Sequence, residues 1–290
     1  MRLCRFVSES NSGIGLVLGD QIADLHGADP KLPLNPIEIL MAGAAGRQAV
    51  ERAAKSAPKL PLSDVTLKAP IGRPGKILGI GLNYRDHAKE TGRDPPTTQM
   101  WFNKQATSLH DPFDPVMMPA VSSALDYEVE LVVLIGKRGR HVPRERALEI
   151  VGGYMTGCDY SVRDWQRATP TMIMGKGFDT HAPVGPWITT PDDAGNVGNL
   201  TLKCWVNGDL RQNGNTRDMI FDVAAQIEHL TKAFPLEPGD LLFTGTPAGV
   251  GAAFDPPKFV RVGDKVRVEV GGLGVIEAEI AQEHAETRIG

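Results

Sequence analysis

An α+β fold of mostly antiparallel strands with few helices is what this 290-residue sequence predicts. Its 32 glycines and 22 prolines, set against 6% aromatics, imply many turns between short strands. Helical stripes are few and do not alternate regularly with the strand-like runs, which argues against a repeating βαβ wheel. Residues 2–7, 14–18 and 21–25 read as strands, the last two joined through Gly19-Asp20. Residues 36–55 place Ile37, Leu40, Met41, Ala44, Ala49 and Ala53 close to a helical stripe behind Asn35 as N-cap. A stretch with three prolines, 57–73, then marks a boundary. Residues 1–70 are expected to be a small N-terminal α/β cap, and 71–290 the main domain. Beyond the boundary, strands are expected at 76–81, 126–135, 153–158, 200–206, 240–243, 265–270 and 275–280, with helices at 84–90, 144–150 and 218–232.

The bulk properties exclude several classes. A net charge of −4 lacks the basic footprint of a nucleic-acid binder. No apolar run reaches the ~20 residues of a membrane span, and the start of the chain has no signal-peptide core. Cys4, Cys158 and Cys204 are odd in number and widely spaced, which disfavours a disulfide framework or a zinc site. The expectation is a cytoplasmic protein that binds neither membranes nor nucleic acid.

Three segments carry chemistry. In a continuous strand over 126–135, Asp126, Glu128 and Glu130 share one face while four branched apolar residues mark the strand as buried. Burying neighbouring carboxylates costs several kcal/mol each unless cations compensate. An oxygen-liganded divalent ion would do so, as would lysines or arginines, or an exposed face. Asp159 ends another apolar strand, where it could be a third ligand or a helix cap. Arg163 and Gln166 then share a helical face suited to a carboxylate or a water. In the third segment Glu90 lies three residues after His87, so a carboxylate can fix the imidazole tautomer and leave a general base; a plain charged helix surface is the alternative. Gly79-Ile80-Gly81 imitates a dinucleotide loop, but Tyr84 stands where the third glycine belongs, so a NAD-dependent oxidoreductase is a weak reading.

Taken in order with Met174-Gly175-Lys176-Gly177-Phe178-Asp179, Asn207-Gly208, Pro238-Gly239-Asp240 and Gly245-Thr246-Pro247, these segments resemble the fumarylacetoacetate hydrolase family over residues 70–280. The resemblance implies a mixed β-roll catalytic domain, a homodimer, and one Mg²⁺ or Mn²⁺ held by Glu128, Glu130 and Asp159. It also implies His87, Glu90 and Lys176 as catalytic groups, with Arg163, Gln166 and Thr246 contacting substrate or ordering water. Lys104 is a candidate for a substrate carboxylate, and Asp126 a support for the ligands. Gly177 stands where the family more often has serine, and His181 is compatible with a structural role in a turn.

The resulting expectation is a metal-dependent hydrolase that cleaves the C–C bond of a 2,4-dioxo acid of the acylpyruvate type through an enolate. Isomerisation or decarboxylation of a hydroxymuconate-type diacid would use the same site. A non-catalytic binding protein of the same fold is disfavoured by the joint presence of acids, dyad and lysine.

Overall fold

The computed structural model describes every residue except Ser10, Arg288 and Gly290. Three sheets and a handful of short helices make up the chain, in agreement with the α+β reading. The largest sheet runs, edge to edge, through Lys59–Pro61, Gln21–Asp24, Ser12–Leu18, Arg2–Val7, Ala182–Thr189, Val151–Cys158, Val129–Ile135, Leu241–Phe243, Ile77–Gly81 and Met100–Lys104. Arg2–Val7 pairs antiparallel with Ala182–Thr189, so the N-terminal strands continue the central sheet. A second sheet orders Asp209–Asn215, Thr201–Val206, Lys265–Val270, Gly274–Gln282 and Val116–Met118.

Val129–Ile135 lies at the centre and is buried on both faces. Val129, Leu131, Val133 and Ile135 enter the core shared with the second sheet, while Val132 and Leu134 join Ile77, Leu241 and Phe243 on the other side. Double burial explains the unbroken apolar run in the sequence.

Four expected elements differ. The strand over 126–135 is interrupted: Leu125–Asp126 pairs separately with Ser161–Val162, and the central strand begins at Val129. The helix over 36–55 divides into Pro36–Met41 and Gly43–Ser56, because Gly43 takes φ +56° between them. Asn35 does cap the first piece, accepting the amide hydrogen of Ile37. Arg144–Ile150 is a 3-10 helix. The helix expected over 218–232 runs Val223–Ala233, capped by Asp222, and Ile220 precedes it.

Candidate active site

A cavity of about 810 Å³ opens where the ends of the central strands meet the helices Arg85–Glu90, Arg163–Arg167 and Ile173–Lys176. Its floor is acidic. Strand pairing sets Val129 against Cys158 and Glu130 against Gly157, and the Asp159 amide donates to the Glu128 carbonyl at 2.9 Å. This places Glu128, Glu130 and Asp159 together, with one oxygen of each within 4.8 Å of the others, all buried.

Cations surround two of these acids. Lys176 Nζ donates to Glu128 Oε2 and Asp159 Oδ2, both at 2.6 Å. Arg163 donates to Glu128 Oε1 at 2.8 Å and to Asp126 Oδ2 at 2.7 Å. Asp126 also accepts the amide hydrogens of Gly251 and Ala252 at 2.7 and 2.9 Å, so it anchors Arg163 and the following loop behind the cluster. Burial alone would raise the Glu128 carboxyl, but Lys176 and Arg163 outweigh it and hold it well below the usual range.

Glu130 is treated differently. Its only hydrogen-bond donor among the described residues is the Gly245 amide at 2.7 Å. Burial, reinforced by Asp159 and Glu128, pushes its carboxyl well above the ordinary value. Four buried carboxylates, Asp126, Glu128, Glu130 and Asp159, thus meet three buried cations, Lys104, Arg163 and Lys176. One negative charge is left over, centred on an oxygen-only donor set. A hard divalent cation fits this set, because it satisfies Glu130 and turns the local balance positive.

The dyad stands over the acids on the same cavity. His87 Nδ1 lies 2.7 Å from Glu90 Oε1. The second Glu90 oxygen accepts the Gly249 amide at 2.8 Å, which fastens the helix to the loop 245–251. With Nδ1–H donated to Glu90, the Nε2 lone pair is left as the basic position. Asn83 secures the start of this helix: its amide donates to the carbonyls of Phe221 and Thr244 at 2.9 and 2.8 Å.

Other expected residues fall as follows. Gln166 lines the cavity and accepts from Arg163 at 3.0 Å. Thr246 lines it too, but its hydroxyl donates to the Val129 carbonyl at 2.9 Å and accepts from Gln212 at 2.7 Å, so its hydrogen is turned inward. Lys104 does not meet the expectation of a substrate contact. It is buried outside the cavity lining, donating to Asp159 Oδ1 at 2.6 Å and to the Tyr160 carbonyl at 3.2 Å. The next residue but one after a strand-buried Phe102 points inward with it, and Lys104 becomes a counter-charge behind Asp159. His181 is structural: it hydrogen-bonds the Met117 carbonyl at 2.9 Å, and burial lowers its pKa to about 3.

Gln212 was not marked by any sequence signal, yet it binds the start of the acidic strand to the 245–251 loop. Its Oε1 accepts from the Val129 amide at 2.9 Å and its Nε2 donates to Thr246 and to the Pro247 carbonyl. Met172, in the cavity wall, holds φ +58°, an uncommon conformation for a side-chain-bearing residue.

Known proteins resemble this chain along most of its length. The family described as fumarylacetoacetate (FAA) hydrolase, C-terminal, matches residues 76–281. A mitochondrial oxaloacetate tautomerase of Bos taurus is 40% identical over 283 residues, covering 95% of this chain and 90% of that protein. The crystal structure of maleylpyruvate hydrolase from Sphingobium sp. SYK-6, in complex with manganese(II) and pyruvate, superposes with a TM-score of 0.82 at 35% identity, covering 98% of this chain and all of the other. A 2-hydroxyhepta-2,4-diene-1,7-dioate isomerase from Mycobacterium marinum gives a TM-score of 0.78 at 29% identity, with the same coverage.

Proposed function

The chain belongs to the fumarylacetoacetate hydrolase family, and from that premise we propose that it interconverts the keto and enol forms of a short 2-oxo acid of the oxaloacetate type, using Mg²⁺ or Mn²⁺. The observation that carries this reading is a carboxylate-fixed imidazole, His87 with Glu90, on the same cavity as a buried three-carboxylate cluster. A relative 40% identical along nearly the whole chain bears the tautomerase name.

A divalent cation held by Glu128, Glu130 and Asp159 would supply Lewis-acid stabilisation of an enolate. In enolisation His87 Nε2 removes the proton from the carbon beside the carbonyl and the imidazolium delivers it to the carbonyl oxygen, and in ketonisation the two transfers run in reverse. Glu90 stabilises the imidazolium that forms while the proton is held. Lys176 has three N–H donors, of which two are engaged by Glu128 and Asp159, and the third serves the substrate oxygen on which negative charge develops. Arg163 and Gln166 orient the substrate carboxylate. The homodimer implied by the resemblance is part of the same proposal, and sedimentation checks it.

Hydrolysis of an acylpyruvate, the sequence expectation, is the second reading. It is favoured by the likeness to a maleylpyruvate hydrolase solved with pyruvate. In it, His87 Nε2 takes its proton from water instead of carbon.

Loss of enol absorbance, followed for oxaloacetate and an acylpyruvate panel with EDTA and after restoring Mn²⁺ or Mg²⁺, separates the two. Metal-dependent ketonisation of oxaloacetate without cleavage of the panel supports tautomerisation; release of pyruvate together with a carboxylic acid from an acylpyruvate supports hydrolysis. His87→Ala should lower the rate by about 10²–10⁴-fold while leaving metal content unchanged. Full turnover in that variant would refute the assignment of the base.

A further inference from the structure

Met172 holds a backbone conformation that the acid, base and cation roles at the site leave unexplained. It precedes the helix Ile173–Lys176 at φ +58°, in the left-handed region that glycine enters freely and side-chain-bearing residues rarely. Close packing fixes the turn. Gly175 lies against the helix Arg163–Arg167 so tightly that a Cβ there would stand 2.2 Å from the Gln166 nitrogen. The Met172 amide donates to the Thr169 carbonyl at 3.2 Å, and the Gly175 amide donates to the Met172 carbonyl at 3.0 Å. Glycine would make this turn without strain, so what methionine adds at the position is its side chain.

That side chain lines the cavity and is half-buried. Its Sδ accepts from Gln166 Nε2 at 3.7 Å, while Gln166 Oε1 accepts from Arg163, which in turn holds Glu128. Its Cε reaches the opposite side, 4.0 Å from the place a Cβ on Gly81 would take. Gly81 ends the strand Ile77–Gly81, just ahead of the helix that carries His87. The thioether therefore fills the gap between the wall that leads to the base and the wall that bears Arg163. An unbranched thioether suits such a gap, because it packs against an amide on one side and bare backbone on the other.

We propose that Met172 is a specificity-determining residue, whose thioether limits the bulk that a 2-oxo acid can carry beyond its head. The proposal rests on the oxo-acid reading of the floor. A head held by Arg163 and Gln166 lies next to Met172 in the same line of contacts. A bulky group following that head has to push the thioether out of contact with Gln166 and Gly81. Shortening residue 172 removes the obstacle and leaves Arg163, Lys176 and the acids in place.

Calorimetric titration of the Mn²⁺-loaded protein with 2-oxobutanoate and 2-oxo-4-phenylbutanoate tests it, since the pair share a head and differ in one phenyl ring. The wild type should bind 2-oxobutanoate about tenfold or more tightly than the phenyl compound. M172A should bind the phenyl compound about tenfold or more tightly than the wild type does, with 2-oxobutanoate unchanged. M172G makes the same opening with a backbone suited to the turn, and reads the gain even where M172A folds poorly. M172L, close in bulk, should keep the wild-type order. M174A shortens an exposed methionine of the same helix that does not line the cavity, and should keep it too. Equal binding of both probes by the wild type, no gain in M172A and M172G, loss of both probes together in those variants, or the same gain in M174A would overturn the size limit while leaving the oxo-acid reading intact. Failure of both probes to bind the loaded wild type would overturn the oxo-acid reading, and the size limit with it.

Discussion

Glu128 and Glu130 are two residues apart and equally buried, yet their surroundings treat their charges oppositely. Lys176 and Arg163 pair with Glu128, whereas Glu130 has one backbone amide and two repelling neighbours. The two isosteric substitutions should therefore differ in sign. Glu128→Gln leaves buried cations short of a partner and should cost about 3–5 kcal/mol. Glu130→Gln keeps an oxygen for the Gly245 amide and removes an uncompensated charge, so it should stabilise the metal-free protein while abolishing metal binding. The pH dependence follows from the raised Glu130 carboxyl. The folded state binds this proton above pH 4.5, the ordinary value, where the unfolded chain releases it. Its contribution to stability is complete below pH 4.5 and is lost as pH rises through the folded value. Chemical denaturation in EDTA from pH 4.5 upward should show this decline in the wild type and not in Glu130→Gln; identical pH profiles would show that Glu130 is not the strained charge. At this scale the sequence exposes the acids plainly, since buried carboxylates at close spacing demand compensation. It does not show which of them lacks a cation, because Lys104 and Lys176 arrive from distant segments.

At the scale of elements, period-two alternation put Asp126, Glu128 and Glu130 on one face of a single strand. The pairing of Leu125–Asp126 with Ser161–Val162 interrupts that strand, so Asp126 serves Arg163 and the 251–252 amides while Glu128 and Glu130 reach the floor. The pairs His87–Glu90 and Arg163–Gln166 were legible because three-residue spacing on a helix is a local rule. The loop 245–251 was recognisable only as a motif, and its work is backbone work: Gly245 donates to Glu130 and Gly249 to Glu90. Gly249 holds φ +107°, and a Cβ there would lie 2.0 Å from the Arg211 carbonyl oxygen. Gly249→Ala must displace the loop, release Glu90, and leave His87 without a fixed tautomer. Turnover should fall about tenfold or more, up to the roughly 10²–10⁴-fold lost with the base itself, while manganese content holds. Unchanged turnover would mean that the dyad orients without its tether to the loop.

On the scale of the whole molecule, the proline-rich stretch at 57–73 signals a change of composition but conceals a continuous sheet. Pairing of Arg2 with Thr189 and Leu3 with Ile188 joins residues 187 and 185 positions apart, and no local pattern carries such a partnership. The N-terminal segment also contributes to the interior: Ile37 and Ala69 share a buried cluster with Val132, Leu134, Ile188 and Phe243. Removing residues 1–70 would bare the edge of Ala182–Thr189, which borders the strand Val151–Cys158 leading to Asp159, and would uncover that apolar layer. Exposed edges and apolar patches recruit other chains. A chain comprising 71–290 should accordingly collect in the insoluble fraction or elute as large aggregates, whereas the full chain elutes as a discrete species. A discrete, manganese-binding product of 71–290 would show that the acidic floor is built without its N-terminal flank. The long-range strand pairing would then be an accessory to the site and not part of its foundation.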